Sequence, residues 1–177
     1  MHNYQKRKLK LALSEVALFG ILGGMTFAAK MAMAGFANIE PVSLMVMLFA
    51  VTFGKKAVFP IYVYVLLEYV LFGFGLWSLN YLYIWLVLAL AAWLLRGMSH
   101  PLGWAVLSGL FGLSFGALCA PVDMLAGGWS YAVTKWISGV PYDIAHCAGN
   151  FVLALLLFVP LRRALGRLYE AQKRGGN

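Results

Sequence analysis

The feature that most constrains this chain is a succession of apolar runs too long and too uniform for a water-soluble fold. They cover roughly residues 11–34, 41–53, 57–72, 81–95, 102–120 and 140–161. In a bilayer every backbone polar group must be satisfied internally, which leaves helices and closed barrels as spanning structures. These runs lack the polar–apolar alternation of barrel strands, and most approach the ~20 residues that a helix needs to cross the hydrocarbon core. The expected fold class is therefore an all-α membrane protein, a six-transmembrane-helix bundle. Segment 41–53 is short for a straight crossing; tilting, local thinning of the bilayer or residues borrowed from its flanks would accommodate it.

Charge gives the bundle a direction. Only 11% of residues are charged, against about 25% in soluble domains. The net charge of +8 does not point to nucleic acid, because the cations sit at the ends of apolar runs. Lys6, Arg7, Lys8 and Lys10 precede the first run, Lys55 and Lys56 separate the second and third, and Arg96 separates the fourth and fifth. Arg162, Arg163, Arg167, Lys173 and Arg174 follow the sixth. With six crossings these four places share one side, and the positive-inside rule makes both termini cytoplasmic. One transmembrane domain over 1–177 is expected, with short basic tails at about 1–10 and 162–177. Ala32-Met33-Ala34 resembles a signal-peptidase site, but run 11–34 is long for a signal core and is read as a retained helix. Cys119 and Cys147 belong to no CxxC and read as buried, reduced thiols.

On this topology the polar residues gather towards the outer side. Lys30 lies in the last turns of the first helix, Asn38 and Glu40 in the loop after it, and Glu68 well along the third helix. Asn80, Tyr81 and Tyr83 open the fourth, and Asp123 and Lys135 lie in an outer loop at 121–139. Asp143, His146 and Asn150 occupy the outer half of the sixth helix. Ionisable groups inside a bilayer are costly and face a cavity or a partner. A pocket open to the outside with an apolar floor suits a small molecule, whereas no polar track continues inward as a channel would require. Asp143, His146 and Asn150, at i, i+3 and i+7, share one helical face. They suit either ligand hydrogen bonding or an interhelical network. Glu68, one turn beyond Tyr64, suits a cationic ligand group or a pairing with Lys30 or His146, and Lys30 could instead snorkel to the interface. No metal site is expected, since one His and one Asp a turn apart need further ligands.

Two further patterns stand out. Gly20, Gly24, Ala28 and Ala32 recur every four residues on the first helix. This spacing permits close approach of another helix, from this bundle or from a second subunit. Gly112-Leu-Ser114-Phe-Gly116 matches the G-x-S-x-G of serine hydrolases, but it sits inside an apolar helix, where small residues for packing explain it equally well. No P-loop is present, so the chain is not expected to bind ATP itself, and no cofactor is expected.

These residues together resemble the substrate-binding S components of energy-coupling factor (ECF) vitamin importers, over nearly the whole chain. The likeness rests on size, six helices, cytoplasmic termini, a basic C-terminal end and Ala28-x-x-x-Ala32, similar to the family's AxxxA motif. It also rests on Asn38-Ile-Glu-Pro-Val-Ser43, on Gly54-Lys-Lys-Ala57, and on Gly139-Val-Pro-Tyr-Asp-Ile-Ala-His146 through Gly149-Asn150-Phe151. The resemblance implies a non-enzymatic subunit of a bacterial plasma membrane, surrounded by lipid and without nucleic-acid partners. It would capture a vitamin-like molecule outside, associate with a transmembrane coupling subunit and two cytoplasmic ATPases, and release the molecule inside. Gly24, Ala28 and Ala32 would form the docking face. Glu40, Glu68, Asn80, Tyr81, Lys135, Asp143, His146 and Asn150 are the candidate substrate-binding residues. The carboxylates suit a cationic group, Lys30 and Lys135 a carboxylate or phosphate, and the aromatics a heteroaromatic ring. An autonomous ion-coupled transporter using Glu68, Asp143 or His146 is the main alternative, and an intramembrane serine hydrolase built on Ser114 and His146 the third.

Overall fold

A computed structural model describes the backbone of residues 2–36 and 38–175 and the side chains of residues 13–36 and 38–174. The side chains of Lys6, Arg7, Lys8 and Lys10, on which part of the charge pattern rests, lie outside the described residues. All regular structure among the described residues is helical: α1 His2–Ala32, α2 Val42–Phe53, a 3-10 turn Gly54–Ala57, α3 Val58–Phe72, α4 Leu76–Tyr81, α5 Ile84–Leu94, α6 Pro101–Leu113 and α7 Phe115–Gly175. Among the described residues four helical stretches are long and apolar enough to cross a membrane: Leu13–Ala32, Val42–Phe72, Leu76–Leu94 and Pro101–Arg174. Large apolar side chains such as Val70, Phe74, Leu125 and Leu156 are exposed on the outside, as a lipid-facing surface requires and as soluble monomers avoid over large areas.

The longest stretch doubles back on itself. Within α7, Gly128 adopts φ 80°, ψ 179° and breaks the helix, a conformation that glycine reaches without steric cost. Contacts on either side of this break are antiparallel. Lys135 pairs with Asp123, Asp143 meets Gly116, Asn150 meets the Ser108 carbonyl and Arg162 meets the Met98 carbonyl. Segment 121–139, read from sequence as a loop, is therefore helical on both sides of one glycine. Pro141, near the start of the run at 140–161, lies within a helix.

The remaining directions follow from contacts. Glu15, Phe19, Gly23 and Lys30 of α1 face Lys56, Phe59, Val63 and Glu68 in turn. This nearly constant offset means that α1 and α3 run parallel, with α2 returning the chain between them. α2 is apolar on all sides and buried throughout most of its length, with Val42, Met47 and Phe49 fully enclosed. Its Ser43 end meets Asn150 and its Phe53 end meets Tyr169 at 4.8 Å between ring centroids, so α2 runs parallel to the second arm of α7. Tyr169 also donates to Glu15 Oε1 at 2.9 Å, which brings the early part of α1 and the late part of α7 to the same end of the bundle. Trp85, Trp104 and Phe158 fill the centre, Trp104 and Phe158 stacked at 4.2 Å.

Close backbone approach explains the serine-hydrolase-like pattern. A Cβ on Gly112 would lie 2.8 Å from the backbone of His146, so the pattern's first glycine is where α6 presses against α7. Ser114, at the kink between α6 and α7, is exposed, and its hydroxyl donates to the Leu110 carbonyl at 2.8 Å.

Candidate functional site

At the end of the bundle opposite Glu15 and Tyr169 lies a cavity of about 380 Å³. The last turn of α1 contributes Lys30 and Met31, and the connection to α2 contributes Phe36, Asn38, Ile39 and Glu40. Phe72 ends α3, and Tyr81, Phe115, Asp143 and His146 complete the wall. Asn38 holds a left-handed backbone, φ 57°, which asparagine tolerates better than most residues. Its amide donates to the Tyr142 carbonyl at 3.3 Å, tying the connection to α7.

Lys30 organises the polar wall. Its ammonium lies 2.9 Å from Glu68 Oε2 and 3.7 Å from Glu40 Oε2, and 5.9 and 5.7 Å from the ring centroids of Tyr64 and Tyr81. Glu68 therefore pairs with Lys30, and it is almost fully buried at 2% exposure. Its second oxygen, Oε1, has no hydrogen-bond partner among the described residues. Burial pushes the Glu40 carboxyl above its ordinary range, with Lys30 pulling it back, because desolvation disfavours the charged form.

Asp143 acts as a cap. α6 stops at Leu113 and α7 starts at Phe115, so Gly116 is in a first helical turn whose N–H has no carbonyl four residues back to bind. Both Asp143 oxygens accept from it, at 3.2 and 3.1 Å. A Cβ at Gly116 would lie 2.5 Å from Asp143 Oδ2, so glycine is required for this approach. His146, 5% exposed, meets the Phe115 ring at 5.0 Å, and its Nε2 has no partner among the described residues.

The candidate residues thus divide. Glu40, Tyr81, Asp143 and His146 line the cavity, with Glu68 behind Lys30. Asn150 does not; it is 1% exposed and donates to Ser43 Oγ at 3.0 Å. Asn80 lies 3.1 Å from the Tyr83 hydroxyl, outside the wall, and Lys135 lies 2.5 Å from Asp123, also outside it. Gly24 is half-buried and Ala28 and Ala32 are exposed on α1, and a Cβ on Gly24 would meet nothing within 4 Å. Sequence reasoning missed Phe36, Phe72, Phe115 and Gly116. Apolar runs are full of phenylalanines, and only tertiary packing singles these out. Among the described residues no three His, Cys, Asp or Glu side chains are grouped to hold a metal ion. A wider groove of about 630 Å³ runs along the outside between α1 and α3, lined chiefly by Val16, Phe19, Phe59 and Leu66. Its charged groups, Glu15 and Lys56, are paired with each other at 2.7 Å.

No protein-family model, no curated protein and no solved structure matches this chain.

Proposed function

We propose that this chain is the membrane-embedded substrate-specificity subunit of an ATP-driven importer of the ECF type, in a bacterial plasma membrane. It crosses the bilayer six times with both termini cytoplasmic. The short α2, the parallel course of α1 and α3 and the turn at Gly128 support that count, dividing the four apolar stretches into six passes. A small heteroaromatic, vitamin-like molecule enters the cavity from outside. A coupling subunit docks on the Gly24, Ala28 and Ala32 face, and two cytoplasmic ATPases supply the energy.

The observation that carries this reading is the one-ended cavity. Lys30, Glu40, Asp143 and His146 converge at a single end of the bundle, while the centre beneath them is filled by Trp85, Trp104 and Phe158. A molecule can be captured there but has no passage through, so delivery needs a further conformational step and a partner. The competing reading is a self-sufficient proton-coupled transporter, favoured by buried Glu68, whose Oε1 has no partner among the described residues. Reconstitution separates the two. The importer reading expects vesicles containing the purified chain alone to take up nothing, and uptake to follow addition of a coupling module and ATP. Uptake by the chain alone under an ion gradient would overturn it. Ala28→Leu with Ala32→Leu is expected to abolish association with the coupling subunit while ligand binding persists; unchanged association would refute the docking face.

A further inference from the structure

Resting on the reading of the cavity as a substrate site, the charges around it narrow the ligand. The residues left two possibilities: a cationic group at Glu40, Glu68 and Asp143, or an anionic group at Lys30 and Lys135. Geometry separates them. Lys135 is not part of the wall, and its ammonium is held by Asp123. Lys30 does reach the wall, but its ammonium is already shared between Glu68 and Glu40. Glu40 and Asp143 stand in the wall itself and Glu68 lies directly behind Lys30. Two carboxylates thus hold one ammonium, and a third, Asp143, stands in the same wall. An incoming carboxylate or phosphate would find no unpaired cation in the wall and would be repelled by the carboxylates. An incoming cation would find Glu40, whose contact with Lys30 is loose at 3.7 Å.

The aromatic groups agree with the charges. Phe36, Phe72, Tyr81 and Phe115 face the cavity, and the faces of Tyr64 and Tyr81 already attract one ammonium, that of Lys30. Aromatic faces attract cations through the negative potential above the ring. His146 Nε2, buried and without a partner among the described residues, offers one hydrogen bond to a ring nitrogen or amine.

We propose that the cavity takes a flat heteroaromatic ring bearing one positive charge, packed on the Tyr81 and Phe115 side, with its charge directed to Glu40 and Asp143 and one polar ring substituent at His146 Nε2.

The test uses three probes of nearly the same shape: 1-methylnicotinamide (cation), nicotinamide (neutral) and nicotinate (anion). Equilibrium dialysis of the full chain in detergent measures each. The cation is expected to bind at least about tenfold more tightly than nicotinamide, and nicotinate more weakly than either. Glu40→Gln, in a connection rather than a helix, is expected to remove about tenfold of the cation's affinity and to change that of nicotinamide by less than about twofold. Equal affinities, preference for nicotinate, no binding of the cation at tens of millimolar, or an unchanged cation affinity in Glu40→Gln would overturn the proposal. ATPase-dependent uptake with no cation preference would defeat this substrate class alone. Cation binding by a chain that transports unaided under an ion gradient would defeat the importer reading alone.

Discussion

Gly23 and Gly24 are adjacent in sequence and meet opposite surroundings, which makes them a sharp test of the helix-one geometry. A Cβ on Gly23 would fall 2.6 Å from Val63 Cβ and Cγ1 and 2.8 Å from the Pro60 carbonyl oxygen; one on Gly24 would meet nothing within 4 Å. Carbon atoms prefer separations of about 3.5–4.0 Å, so Gly23→Ala must push α1 from α3 by roughly 1 Å. The obstacle is poorly yielding, being a β-branched side chain and a backbone carbonyl. Phe19–Phe59 on one side and Lys30–Glu68 on the other hold the same seam. Overpacking of this kind costs about 1–3 kcal/mol, offset by up to about 1 kcal/mol from alanine's helix preference. Gly24→Ala receives that preference with no clash. The two variants should therefore differ by about 2 kcal/mol, Gly24→Ala being the more stable. At about 2–4 °C per kcal/mol for a chain of this size, their unfolding midpoints should differ by about 4–8 °C. The free, half-buried thiols of Cys119 and Cys147 report unfolding through a thiol-reactive dye in a fixed detergent. Equal midpoints, or a lower midpoint for Gly24→Ala, would show that α1 does not present Gly23 to α3 and Gly24 outward.

Three other perturbations probe the site. Lys30→Met leaves Glu68 buried without its cation and should destabilise by about 3–5 kcal/mol; adding Glu68→Leu should restore most of the midpoint, and no recovery would deny the pair. Asn150→Ala should lower stability by about 1–3 kcal/mol through loss of the Ser43 and Ser108 contacts, yet leave 1-methylnicotinamide affinity unchanged; a large affinity loss without destabilisation would place Asn150 on the ligand. The third concerns pH at Glu40, faced by Lys30 from α1 and Glu68 from α3. Its raised pKa means that the empty folded protein keeps this proton to higher pH than the unfolded chain, so this stabilising contribution is lost as pH rises through the raised value. A bound cation favours the carboxylate and lowers that value. Binding therefore releases a proton, and affinity should rise with pH through the raised pKa and then level. Dialysis across a pH series checks this; a falling affinity, or the same slope in Glu40→Gln, would refute it.

The helical, apolar character of the chain was legible because lipid leaves so few backbone solutions. Finer features were legible only as far as one helix can reveal them. Asp143, His146 and Asn150 do follow one another along a face, as their spacing requires. Periodicity gives a face but not what stands opposite, and one turn separates His146 in the cavity wall from Asn150 locked to Ser43. Glu68 had Lys30 and His146 as possible partners in sequence, and the parallel course of α1 and α3 decides for Lys30. Segment 121–139, which contains Gly127 and Gly128, read as a loop between two apolar runs. A single positive-φ glycine suffices to turn the chain, and packing between the two arms keeps the other positions helical.

The shortness of the second apolar run bears most directly on the site. α2 has 12 residues, a rise of about 18 Å, well short of a hydrocarbon core about 30 Å thick. Its far end meets Tyr169, so the shortfall falls at the other end, where Pro41 and Val42 begin it. There the connection from α1 must descend into the bundle to reach α2 instead of passing above it. That descent carries Glu40 and Asn38 to Lys30 and Tyr142, and Ile39 so close to α7 that a Cβ on Gly149 would lie 3.0 Å from it. The space that a full-length α2 would fill is enclosed instead by Lys30, Tyr81, Phe115 and His146. The short helix α2 is thus the one whose missing turns leave room for the cavity.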